Sequence, residues 1–139
     1  DEVLTIPDRV YFNEPDAEDE RKLTGIQKII LNCIYLRHHD GYIRQRRLEG
    51  LLGKSDNWII PFTIQLLGEY VVEILPVLDR HINDKTIEGY VKVTRENPNY
   101  WKQIKNRMIS YWNEYYRRQY PKLNDYPGQE LEDKISESY

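Results

Sequence analysis

The sequence predicts an all-α protein, a compact array of five to six helices in antiparallel pairs with a HEAT-like layout. Three observations predict it. The block Trp58 to Ile82 is mostly apolar, and its few charges keep a helical spacing. Two further segments, Ile26 to Arg37 and Tyr100 to Arg118, repeat apolar residues at i, i+3, i+4 and i+7, the pattern of one helix face. Only Tyr90-Val91-Lys92-Val93-Thr94 alternates like a strand, and no second strand signal of equal strength lies near it to pair with.

The elements follow in order. Residues 1–22 read as an acidic, partly extended arm. Its segment Glu14 to Glu20 holds no apolar residue except Ala17 and reads as solvated. Val3, Leu4, Ile6, Val10, Tyr11 and Phe12 can dock as an extended strip, with Pro7 and Pro15 opposing a helix. The helical domain covers 23–139. Thr24 caps its first helix, with Ile26, Ile29, Ile30, Cys33, Ile34 and Arg37 on one stripe and Gly41 as the terminating glycine. A second helix, Ile43 to Leu52, buries Ile43, Leu48, Leu51 and Leu52, leaves Arg44, Arg46 and Arg47 on its other sides, and ends at Gly53.

Ser55 or Asp56 caps the apolar block, and Pro61 falls in its first turns. Gly68 divides it into Asn57–Leu67 and Glu69–His81, two antiparallel helices; one long bent helix is the alternative. In the second half Tyr70, Val71, Ile74, Leu75, Val77 and Leu78 are the buried candidates, and Glu69, Glu73, Pro76 and Arg80 share the opposite stripe. Lys85 to Asn97 is taken as helix. Tyr100 to Arg118 carries Trp101, Ile104, Met108, Tyr111, Trp112 and Tyr115 on its apolar side and stops before Pro121. A turn at Tyr126-Pro127-Gly128 precedes a last short helix, Glu130 to Ser136. Leu31, Ile34, Leu51, Trp58, Phe62, Leu66, Val71, Ile74, Leu78, Trp101, Ile104, Met108 and Trp112 are expected to dominate the core.

The 139 residues suit one domain. The net charge of −3 argues against a general nucleic-acid or anionic-membrane surface. A single cysteine allows neither an internal disulfide nor a cysteine-based zinc site, and a reducing cytoplasm is the expected location. Gln65, Glu69 and Glu73 interrupt the longest apolar run, so no membrane span is expected. The first residue is Asp1 rather than Met, so a trimmed protein or a domain cut from a longer one is expected. No nucleophile elbow, P-loop or dinucleotide fingerprint occurs, and neither a catalytic set nor a cofactor is expected.

Four constellations remain. His38-His39-Asp40 resembles a metal cluster, but neighbours on a helix diverge by about 100°, and two histidines at a helix end suit its dipole. Glu69 and Glu73, with Tyr70, can form a carboxylate pair for metal or acid–base work. They can also form a polar seam with Arg44, Arg46 and Arg47, or a solvated stripe, the blandest reading. The C-terminal helix combines Lys102, Lys105, Arg107, Arg117 and Arg118 with Tyr100, Tyr111, Trp112, Tyr116 and Tyr120, the mix found at protein-binding hot spots and on single-stranded nucleic acid. Ile26–His39, Ile43–Leu52 and Asp56–Leu67 mimic a helix-turn-helix, but the third segment is too apolar to face phosphates. The best expectation is a non-catalytic interaction or assembly module whose partner is another protein, a second copy of itself included. A small enzyme or metal site at Glu69/Glu73 and nucleic-acid binding by the basic-aromatic helix are the alternatives.

The chain carries the blocks W-x-x-P-F at Trp58, L-x-G-E-Y-V-x-E-I at Leu66, ENPNYW at Glu96, S-Y-W…Y-Y-R at Ser110 and DYPG at Asp125. Over Leu23 to Gly128 the chain resembles a family of uncharacterised bacterial all-helical, HEAT-like proteins. That resemblance implies a helical fold and no activity, and it marks Glu69, Tyr70, Glu73, Tyr111, Trp112 and Tyr116 as positions of interest.

Overall fold

The computed structural model describes residues 3–139. Among them are eight α-helices and no β-strand: α1 Ala17–Arg21, α2 Gly25–Tyr35, α3 Gly41–Glu49, α4 Ile60–Ile64, α5 Leu75–His81, α6 Ile87–Glu96, α7 Pro98–Tyr111 and α8 Pro127–Ser136. The number exceeds five to six for two reasons. A short helix forms inside the acidic arm, and the central apolar block holds two helices, α4 and α5, rather than one long bent one.

That block is a chain of short pieces. A 3-10 turn at Asn57–Ile59 leads into α4, another at Gln65–Gly68 ends it, and a third at Val72–Ile74 leads into α5. Pro61 and Pro76 each stand in the first turn of a helix, where a missing N–H costs nothing. Gly68 does divide the block, as expected, but the residue after it is extended: Glu69 has φ −106° and ψ 161°. Gly68 also permits close approach, since a Cβ there would stand 3.1 Å from the carbonyl oxygen of Ile104 on α7.

Thr24 caps α2 with a reciprocal box, its hydroxyl accepting from the N–H of Gln27 and the Gln27 side chain accepting from Thr24 N–H. Gly41 does not terminate α2. Asp40 caps α3 through Tyr42 N–H, and Gly41 is the first residue of that helix. Gly53, at φ +82°, turns the chain after Leu52. Lys85–Asn97 does contain a helix, α6, and the Tyr126-Pro127-Gly128 turn is the start of α8 itself.

Helix α2 packs on α3, α3 on α5, α4 on α6, and α8 on α5, α6 and α7, while α7 runs along the 3-10 turn before Glu69. The core joins Leu36, Leu48, Leu51, Leu66, Leu78, Ile104, Met108 and Tyr126. Three expectations fail here. Trp58 is exposed, Tyr70 is half out of the core, and half of the α2 stripe is turned outward, with Ile26, Ile30 and Ile34 exposed. Helix α2 lies at the edge of the array; of its stripe Cys33 and Arg37 are buried and Ile29 half-buried, and Tyr35 and Leu36 join them inside, so the inward face only partly coincides with the one the letters favour. Leu31, Phe62, Val71 and Trp112 are half-buried rather than central.

The arm is not merely solvated. Val10 is buried and exchanges backbone hydrogen bonds with Arg37 and His39. Val3, Leu4, Tyr11 and Phe12 remain exposed, so only part of the apolar strip docks.

Candidate interaction site

The functional candidates converge at the extended segment after Gly68. Glu69 is buried, with only 3% of its side chain exposed. The expectation of an exposed Glu69/Glu73 stripe is therefore corrected. The i, i+4 argument needs a helix, and Glu69 is not in one, so it turns inward while Glu73 stays exposed.

Arg37 Nη1 reaches Glu69 Oε1 at 2.5 Å, and Arg9 Nη2 reaches Oε2 at 2.7 Å. Arg37 also donates to the carbonyls of Pro7 and Asp8, so the carboxylate ties the arm to α2 and to the central block. Burial opposes the ionisation of Glu69, but the two guanidiniums outweigh it and hold the carboxyl below its usual range.

The expected seam of Arg44, Arg46 and Arg47 with Glu69 and Glu73 does not form. Arg47 is buried and pairs with Glu14 and Glu20, and the exposed Arg46 pairs with Glu14. The acidic arm supplies the counter-charges that the sequence reading sought further along. Arg44 is fully buried under the Tyr70 ring, its Cζ 5.6 Å from the ring centroid. Of the ion-pair residues, Arg9 and Arg37 escaped the sequence reading. An arginine at the end of an apolar stripe was the available signal for Arg37; Arg9 gave none.

Around this buried charge stands a layer of tyrosines. After α7 the chain widens into a π-helical turn, Trp112–Tyr116, a feature that recurs at functional positions. Tyr111 and Tyr115 stack with centroids 6.1 Å apart, and Tyr70 lies 6.1 Å from the first and 6.4 Å from the second. Tyr70 is 42% exposed and Tyr115 63%. Beneath them Tyr116 pins the extended segment, donating to the Tyr70 carbonyl and accepting from Val72 N–H. Tyr126 stacks on Tyr116, and Tyr120 meets Tyr126 edge-on. Trp112 Nε1 donates to the Tyr120 carbonyl at 2.8 Å, and Arg117 covers the Trp112 ring.

The remaining candidates scatter. Tyr100 donates to the carbonyl of Pro61 and, with Arg107, lines a separate cleft of about 700 Å³ beside Val3, Leu4 and Ile6. Burial raises the Tyr100 hydroxyl to about 12. Lys105 covers Trp101 and faces Glu132 at 3.6 Å, and Arg118 is exposed. His38 is a buried structural residue. Its Nε2 meets the Phe12 carbonyl, its Nδ1 accepts from Asp40 N–H, and His39 stays exposed.

The fold and site define an all-α protein that presents a part-exposed tyrosine cluster over a buried arginine–glutamate network. No known protein family, curated protein or solved structure matches this chain. No helix of the described residues is long and apolar enough to cross a membrane.

Proposed function

We propose that this chain is a non-catalytic protein–protein interaction module whose contact face is Tyr70, Tyr111 and Tyr115. The observation that carries this reading is the pair Tyr70 and Tyr115, part-exposed, neighbouring and held on a braced backbone. Tyrosine offers large contact area for only two rotatable side-chain bonds, so a tyrosine cluster binds with little entropy loss. The partner is a protein or a second copy of this chain, met in the cytoplasm.

Two finer readings belong to the same proposal. A HEAT-like arrangement fits the packing of α2 on α3 and of α6 on α7. In such arrays each unit leaves an apolar face for its neighbour, and Ile26, Ile30 and Ile34 make one on α2. The resemblance to uncharacterised bacterial helical proteins fits the helical fold and places Tyr70, Tyr111 and Tyr116 in its blocks.

The alternatives have less to stand on. Both oxygens of Glu69 are engaged by arginines, and the two positive charges beside them oppose both a metal cation and the uptake of a substrate proton. Arg107 and Arg117 serve different places, the cleft at Tyr100 and the Trp112 ring.

Native mass spectrometry of the protein from its own cells, beside a Tyr70→Ser/Tyr115→Ser variant, tests the reading. A complex or dimer present in the first and lost in the second is expected. A strict monomer, or an association that ignores both substitutions, overturns it.

A further inference from the structure

Three arginines are buried in this fold, and two of them are fully employed. Arg37 uses Nε, Nη1 and Nη2 on the Pro7 carbonyl, Glu69 and the Asp8 carbonyl. Arg47 uses the same three nitrogens on Glu14, Glu20 and Asn32. Arg44 is the exception. Its Nη1 donates to the His38 carbonyl at 2.9 Å, and its Nε and Nη2 are buried with no hydrogen-bond partner among the described residues. No ion pair involves it among those residues either.

A buried guanidinium with two idle donors is costly to keep, more so than a paired one. The idle atoms are also the adjacent pair on one edge of the group, the fork that fits two oxygens of a carboxylate or phosphate. Gly41 and the Tyr70 ring stand against the guanidinium. Gly41 is half-buried, and a Cβ on it would stand 3.6 Å from Nη2. Tyr70 lies over the guanidinium while 42% of it faces solvent. The surroundings favour an anion. The one buried carboxylate of this region, Glu69, is already committed to Arg9 and Arg37, so it does not serve Arg44. Asp40 is engaged in capping α3, and Glu73 is turned to solvent.

We propose that Arg44 is an oxyanion-binding site. Its Nε–Nη2 edge takes one carboxylate or phosphate group, and Tyr70 is the side chain that swings aside to admit it. Both sources of that chemistry, a free anion and an acidic side chain of a protein, are compatible with the fork. The site stands whether or not the tyrosine patch binds a protein, because it rests on the unused donors of Arg44.

The test is a titration of the nitrogen-15-labelled protein in low-chloride buffer, following the Nε–H resonance of Arg44. Inorganic phosphate is one probe and N-acetyl-aspartate amide the other. A saturable shift of that resonance with either probe is expected. Saturation by phosphate alone assigns a free tetrahedral anion; saturation by the aspartate derivative assigns a protein carboxylate. Arg44→Lys, which keeps the charge and loses the fork, should weaken binding about tenfold, read in both proteins from the backbone amide resonances of Gly41 and Tyr70. Tyr70→Ala should bind at least as tightly as the wild type. This second variant is independent of whether Arg44→Lys folds. An Arg44 resonance indifferent to both probes, or binding equally strong in a folded Arg44→Lys protein, overturns the proposal.

Discussion

Arg37 and Glu69 meet at 2.5 Å with 2% and 3% of their side chains exposed, although 32 residues separate them in the chain. This contact and the Arg9 contact beside it join the arm, α2 and the central block at one carboxylate. Glu69→Ala leaves Arg37 buried without its anion, and loss of one member of a buried pair costs about 3–5 kcal/mol. Urea unfolding followed by circular dichroism measures it. A loss under about 1 kcal/mol, the size of an exposed pair, would show that the carboxylate is not structural.

Acid should weaken the fold in two stages. Burial holds His81 below its ordinary 6.5, although the backbone of Leu51 pulls the other way. The unfolded chain therefore takes up that proton first. The contribution of His81 is complete above about pH 6.5 and is lost as pH falls from there towards the folded-state value. Glu69 is held below its ordinary 4.5; its contribution is complete above that pH and is lost as pH falls through the lower folded value. Melting temperature against pH should slope first below 6.5 and again below 4.5. His81→Leu should flatten the first slope alone, and an unchanged first slope in that variant would remove His81 from the account.

Cys33 should be inert in the native protein. It is buried, and burial raises its thiol to about 12. Thiolate is the reactive form, so an aromatic disulfide reagent should modify it only at the rate at which the protein opens. Fast native labelling would place the sulfur at the surface.

Two isoleucines with similar helical spacing should behave differently. Ile104→Ala in the core should cost about 2–5 kcal/mol. Ile34→Ser on the exposed side of α2 should stay within about 0.5 kcal/mol. Equal costs for the two would mean that something covers α2 in solution.

The helical class was legible because periodicity is a local property: α2 and α7 lie where the apolar spacing puts them, and α6 was readable as helix only because its strand-like alternation has no second strand to pair with. Cores were legible where a helix is enclosed on its apolar side, as at Trp101, Ile104 and Met108. They were not legible on α2, because Ile26, Ile30 and Ile34 carry the same spacing whether or not a neighbour exists to cover them. The site failed for a related reason. Reading Glu69 and Glu73 as one stripe assumes an unbroken helix, and the extended backbone after Gly68 sends Glu69 inward. The choice of partners was out of reach as well. Glu69 pairs with Arg9 across 60 residues and Arg47 with Glu14 across 33, distances over which no sequence spacing carries a signal.

That 60-residue separation has a consequence for the order in which the protein is made. Arg9 leaves the ribosome well before Glu69. At about 5–20 residues per second, several seconds pass before its anchor exists. Tyr116, which braces the backbone beside that anchor, comes later still. The arm is thus made well before the residue that anchors Arg9, and until that anchor exists its exposed Leu4, Tyr11 and Phe12 are open to whatever the nascent chain meets.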